Sequence, residues 1–176
     1  IEAYKQVIKI DPDYRDAHYN LGYSYCESGK YREAIKSYKQ AIRIDPDDAS
    51  AHFGLGNTYC ESGKHKKAIE SFKQAIRIEP DDADTHYNLG YAYGKSGKYK
   101  EAIVSFKQAI SINPDYADAH NNLGITYGEL GKHQEAIESY KQAIRIDPDF
   151  ADAHINLGVT YGELGKYEEA IKSYKF

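Results

Sequence analysis

The sequence predicts an all-α fold, an α-solenoid of antiparallel helix pairs, and three observations predict it. Five prolines stand 34 residues apart, at Pro12, Pro46, Pro80, Pro114 and Pro148. Gly22, Gly56, Gly90, Gly124 and Gly158 keep the same spacing, as do Ala34, Ala68, Ala102, Ala136 and Ala170. Within each period the apolar residues recur at helical spacing. An unbroken period of this length means one supersecondary unit stacked on copies of itself, each touching mainly its neighbours. Such a chain presents an extended surface in place of a closed pocket.

The elements follow in order as a single array over residues 1–176. Residues 1–14 read as the end of a preceding repeat, with Tyr4 and Val7 on its apolar side and Pro12 closing it. Repeat 1 covers residues 15–48. His18, Leu21, Gly22 and Tyr25 fall at i, i+3, i+4 and i+7, one stripe of a first helix. Gly29 breaks the stripe and allows the positive φ of a helix-ending turn. Ala34, Ile35, Tyr38, Ala41 and Ile42 form the stripe of a second helix. Asp45-Pro46 stops it, because the residue before proline avoids helical angles and proline lacks a donor. Residues 49–82, 83–116 and 117–150 repeat this plan. Residues 151–176 begin a fifth repeat that stops within its second helix. No polar cap follows, so the ends are expected to associate with further repeats or with neighbouring molecules.

A glycine inside a helix costs about 1 kcal/mol relative to alanine. The recurrence of Gly22 and its counterparts therefore predicts a close helix contact that a β-carbon would obstruct. Ala34 and Ala41 supply other shallow spots, and Tyr25 and Tyr38 fill the larger gaps. Many of the 18 tyrosines are thereby core fillers, not a stacking platform for bases.

Composition narrows the function. A formal charge of −4 disfavours nucleic acid, whose backbone selects clustered Lys and Arg. The most basic stretch, Lys64, His65, Lys66 and Lys67, sits at a helix start and reads as a solvated face. No apolar run approaches the ~20 residues of a membrane span, and no signal-peptide pattern is present. Cys26 and Cys60 lie one repeat apart. Stacked helices are roughly 8–10 Å apart, beyond the ~7 Å that a disulfide tolerates. Free thiols in a reducing, cytoplasmic compartment are expected.

The pattern Leu21-Gly22, Tyr25, Gly29, Ala34, Tyr38, Ala41 and Pro46 closely resembles the tetratricopeptide repeat. It recurs as Leu55-Gly56, Tyr59, Gly63, Ala68, Phe72, Ala75 and Pro80, and again in the next two repeats. The fifth copy carries Leu157-Gly158, Tyr161, Gly165, Ala170 and Tyr174. The resemblance spans essentially the whole chain and implies a right-handed superhelix. One departure is regular: His18, His52, His86, His120 and His154 stand where the family usually has Trp.

The resemblance also implies that an extended or helical peptide lies on a concave side lined by first helices. The helical repeat then places Tyr19, Tyr23 and Cys26 there, followed by Phe53, Asn57 and Cys60. Tyr87, Tyr91 and Gly94 come next, then Asn121, Ile125 and Gly128, then Ile155, Val159 and Gly162. The first three repeats offer aromatic rings for area burial and cation–π contact; the last two are aliphatic. Asp16, Asp84, Asp118 and Asp152 frame one end, and Glu27, Glu61, Glu129 and Glu163 the other. Such a frame favours a protein or peptide partner with basic residues. The aspartates equally complement helix N-termini, and both roles are compatible. A further row, Asn20, Asn88, Asn122 and Asn156, is interrupted by Gly54. Carboxamides at this register hold peptide backbone in some members of the family; the alternative is bonding within their own repeat. Basic residues that clamp a terminal carboxylate in the family's chaperone-tail binders have no counterpart at Tyr19, Phe53 and Tyr87.

Catalytic, cofactor and metal chemistry are not expected. Five histidines at a period of 34 lie roughly a helix diameter apart, whereas metal ligands must converge within ~2.0–2.1 Å of one ion. A partly buried His filling the Trp slot is the simpler reading, with loss of stability on protonation as its corollary. Cys26 and Cys60 lack a converging base and oxyanion site, and no glycine-rich phosphate loop occurs. The sequence thus predicts a non-enzymatic interaction scaffold. Its rivals are a module stacking end to end and the substrate-presenting arm of a larger enzyme.

Overall fold

The structure, a computed structural model, describes residues 1–175. Among these residues all regular structure is helical, in eleven α-helices. They divide into two compact units, Ile1–Ala92 and Tyr93 onward.

The first unit contains α1 (Glu2–Ile10), α2 (Arg15–Glu27), α3 (Tyr31–Ile44), α4 (Ala49–Glu61) and α5 (His65–Ile78), with most of α6 (Ala83–Lys95). Helix α2 packs on α3 and α4 on α5, while α3 also packs on α4 of the next pair. The second unit contains α7 (Tyr99–Ile112), α8 (Ala117–Glu129), α9 (His133–Ile146), α10 (Ala151–Glu163) and α11 (Tyr167–Ser173). There α8 packs on α9 and α10 on α11, with α9 against α10. First helices begin at residues 15, 49, 83, 117 and 151. Each helix pair turns through a glycine with φ between 69 and 71°: Gly29, Gly63, Gly97, Gly131 and Gly165. That backbone conformation suits glycine because a β-carbon would strain it.

The glycine column inside the first helices marks the closest approaches. A β-carbon on Gly56 would stand 2.5 Å from Cε1 of Phe72, and one on Gly124 2.6 Å from Cε1 of Tyr140. Tyr38 serves two helices. Its ring would lie 3.0 Å from a β-carbon on Gly22 and 2.6 Å from one on Gly54. The break in the asparagine row therefore has a packing cause: the residue at position 54 gives way to the Tyr38 ring. Phe72 is fully buried, and burial drives the Tyr38 phenol far above its usual pKa.

The histidine column fixes the entry into every first helix. Nε2 of His18, His52, His86, His120 and His154 lies 2.8, 3.0, 2.9, 3.1 and 2.9 Å from the carbonyl oxygen of the proline six residues earlier. A carbonyl only accepts, so Nε2 carries the proton. The ring combines an apolar body with the donor that holds the inter-repeat turn. Nε2–H persists in the imidazolium, so these five bonds survive protonation. Of the five rings only that of His18 is buried.

Candidate functional site

The first unit carries a cleft of about 590 Å³ lined by Cys26, Glu27, Tyr31, Asn57, Cys60, Glu61, Tyr87, Asn88 and Tyr91. Helical spacing builds it. Asn57, Cys60 and Glu61 fall at i, i+3 and i+4 of α4 and share a face. Tyr87, Asn88 and Tyr91 come from one turn of α6, and Cys26 with Glu27 from the last turn of α2. The turn at Gly29 delivers Tyr31, the first residue of α3, to the same end.

The lining has a definite electrostatic character. Glu27 and Glu61 contribute two carboxylates, and no Lys or Arg lines the cleft. Burial, helped by the neighbouring Glu61 charge, pushes the Cys60 thiol up to about 11, so it is neutral at physiological pH. Both cysteines are free and half-buried.

Of the residues that the sequence singled out, the cleft gathers Asn57, Tyr87, Asn88 and Tyr91. The remainder of that set within the first unit lies outside it. Tyr19 packs edge-on against Tyr38, ring centroids 5.7 Å apart at 70°, and burial raises its phenol pKa. Phe53 packs in a tilted geometry on Phe72 at 5.9 Å. Both positions are drawn inward by the aromatic fillers of the second helices. Tyr23 remains open at 55 % exposure. Asn20 and Asn88 each donate to the carbonyl four residues back, Asp16 and Asp84, at 2.8 Å. One amide hydrogen of each is thus held by its own helix.

The second unit presents a different surface. Ile125, Ile155 and Val159 are exposed. Asn121 departs from the expectation of an open groove position: it is 5 % exposed, and its Oδ1 accepts from Nδ2 of Asn156 at 3.0 Å. The physical reason is that a buried amide needs a partner, and α10 supplies one. Asn122, on α8, accepts through its backbone carbonyl from the Thr126 hydroxyl at 2.7 Å.

Sequence reasoning missed Tyr31. The signal was its column: Tyr31, His65, Tyr99, His133 and Tyr167 repeat at 34, and each opens a second helix. In the second unit this column approaches the glutamate 30 residues on. The Tyr99 hydroxyl donates to Glu129 at 3.1 Å, and His133 Nδ1 lies 3.6 Å from Glu163. The aspartate row also behaves unevenly. Arg15 pairs with Asp16 at 3.1 Å and with the buried Asp48 at 3.0 Å, whereas Glu27 and Glu61 have no ion-pair partner among the described residues.

Stacked helix pairs with an open cleft on their first helices define a helical-repeat protein of the kind that displays a binding face. A family model described as TPR repeat matches residues 1–27, 22–61, 56–97, 95–131 and 126–165. The chain belongs to the TPR repeat family, whose members are protein-interaction modules and generally not enzymes. It is similar to the crystal structure of MamA, at 34% identity and a TM-score of 0.84, over 88% of this chain and 91% of that one. YrrB, described as a TPR protein with an unusual peptide-binding site, is 26% identical with a TM-score of 0.80, over 97% of this chain and 88% of that one. The Pseudomonas aeruginosa pilF structure, at 23% identity, shares the fold alone, with a TM-score of 0.81 over 91% of this chain and 73% of that one. No curated protein sequence matches the chain significantly. Among the described residues no helix is long and apolar enough to cross a membrane.

Proposed function

We propose that the chain is a scaffold that holds a peptide segment of a partner protein against its first helices. One observation carries this reading: four of the residues assigned to the groove, Asn57, Tyr87, Asn88 and Tyr91, converge on one open cleft. Its volume of about 590 Å³ falls within the range of roughly 300–1,000 Å³ usual for ligand clefts. Rings supply area, and carboxamides supply donors and acceptors for peptide backbone. The described peptide-binding site of YrrB supports the same use of the fold. Tyr19 and Phe53 support the groove from beneath, through their contacts with Tyr38 and Phe72. In the second unit, taken by itself, exposed Ile125 offers an aliphatic contact and Asn122 a carboxamide.

A peptide array screened against the intact chain tests this reading. Replacing Tyr87 and Tyr91 together by Ala should weaken the selected peptides at least about tenfold, the loss of one good aromatic anchor. Unchanged affinity, with an unchanged melting curve, would place the site elsewhere.

A further inference from the structure

We propose that the cleft of the first unit is a receptor for one cationic side chain, lysine or arginine, of the bound peptide. This rests on the scaffold reading and adds the chemistry of what is recognised. Three observations converge on it.

The first is the kind of wall. Tyr31, Tyr87 and Tyr91 bring three aromatic rings to a cleft that also holds Glu27 and Glu61. Ring faces attract cations through their quadrupole, and carboxylates attract them through charge. A neutral or anionic side chain gains from neither. The second is the absence of an internal counter-charge. No Lys or Arg lines the cleft, and Glu27 and Glu61 have no ion-pair partner among the described residues. Cys60 does not change this balance, because its thiol stays protonated at physiological pH.

The third comes from comparing equivalent positions in the repeats. In the second unit Tyr99, which opens a second helix, donates to the glutamate 30 positions later, Glu129, at 3.1 Å, and His133 comes within 3.6 Å of Glu163 without a hydrogen bond. The corresponding residues of the first unit, Tyr31 and Glu61, form no such bond and instead both line the cleft. The phenol–carboxylate bond made at Tyr99 and Glu129 is here left open, with phenol and carboxylate both available to an incoming group. The cleft is larger than one side chain, so flanking peptide backbone also enters and meets Asn57 and Asn88. Arginine suits this wall best. Its planar guanidinium stacks on a ring while donating to carboxylates.

The test uses two peptides, acetyl-Gly-Ser-Arg-Ser-Gly-amide and its citrulline counterpart, titrated into the isotopically labelled chain and followed by amide chemical shifts. Citrulline keeps the shape of arginine and removes the charge. The arginine peptide should saturate with shifts at Cys26, Glu27, Tyr31, Cys60 and Glu61, at least about tenfold more tightly than the citrulline peptide. The double variant Glu27→Gln/Glu61→Gln should reduce arginine binding to the citrulline level. Both residues are exposed, so its melting curve should match the parent's.

Equal affinity for the two peptides, undiminished arginine binding by the double variant, or no saturation by about 10 mM would overturn the assignment. Equal, saturable binding by both peptides at the cleft would discard the cation and keep the scaffold. Failure of every array peptide to engage the groove would discard both.

Discussion

Replacing Gly56 by alanine should destabilise this chain, and the same replacement at Gly128 should stabilise it. Both glycines lie inside first helices, α4 and α8. Propensity alone predicts a gain of about 1 kcal/mol at either site. Packing separates them. Nothing lies within 4 Å of a β-carbon built on Gly128, whereas one on Gly56 meets Cε1, Cδ1 and Cζ of Phe72 at 2.5, 2.7 and 2.9 Å. Ordinary carbon contacts sit at roughly 3.5–4.0 Å, so ring or helix must yield by about 1 Å. Phe72 is 0 % exposed and has no room to retreat. Overpacking of this kind costs about 1–3 kcal/mol. The net effect at Gly56 is therefore a loss of up to about 2 kcal/mol, against a gain of about 0.5–1 kcal/mol at Gly128.

The assay is thermal unfolding followed by far-UV circular dichroism, with each kcal/mol worth about 2–4 °C for a chain of this size. Repeat arrays can unfold in parts, so hydrogen exchange in α4 and α5 locates the loss. A Phe72→Leu background shortens the opposing group and should relieve most of the Gly56→Ala penalty, a coupling of about 1 kcal/mol or more. If Gly56→Ala raised the melting temperature as Gly128→Ala does, the close-approach account of the glycine column would be wrong.

Three further outcomes follow from side chains that the fold treats unequally. Burial raises the Tyr140 phenol to about 12 from an ordinary value of 10.0, so folding favours the protonated ring. The resulting stability is complete below pH 10 and is lost as pH rises from there towards 12, at no more than about 1.4 kcal/mol per pH unit; melting curves across that interval should show it, and a flat profile would contradict the burial. Asn156→Ala removes the donor that satisfies the buried Asn121 and should cost about 1–3 kcal/mol, while Asn20→Ala, which removes an exposed bond within its own helix, should cost less; denaturant midpoints rank them. Cys60, with its thiol held up to about 11, should react with a disulfide reagent more slowly than free cysteine, its rate rising with pH well beyond 9, as separate Cys26→Ser and Cys60→Ser variants would report.

Helix pairs, turns and core were legible in the sequence because they answer to local rules repeated five times. Gly29 ends a helix wherever its column occurs, and Gly22 announces a ring beside it. The candidate site was legible only in part. Asn57, Tyr87, Asn88 and Tyr91 were found because first-helix registers vary while the core columns do not. Tyr19 and Phe53 belong to the same registers, yet half-buried contacts with Tyr38 and Phe72 claim them. Asn121 shares that register too and is buried with an amide partner. Nothing in one helix's sequence shows which neighbouring ring will reach it.

The sequence by itself determined the period, the helix boundaries, the family and the negative charge of the face, since each depends on residues close together or equally spaced. Tertiary structure alone decided which of the equivalent positions stay open. It turned the histidine column into five bonds to proline carbonyls, explained the gap at Gly54 by the Tyr38 ring, and brought Tyr31 and Glu61 to the lining of one cleft. A repeat sequence specifies the same site many times over. Packing between repeats, where a side chain from one repeat meets whatever its neighbour offers, leaves some copies filled and others available.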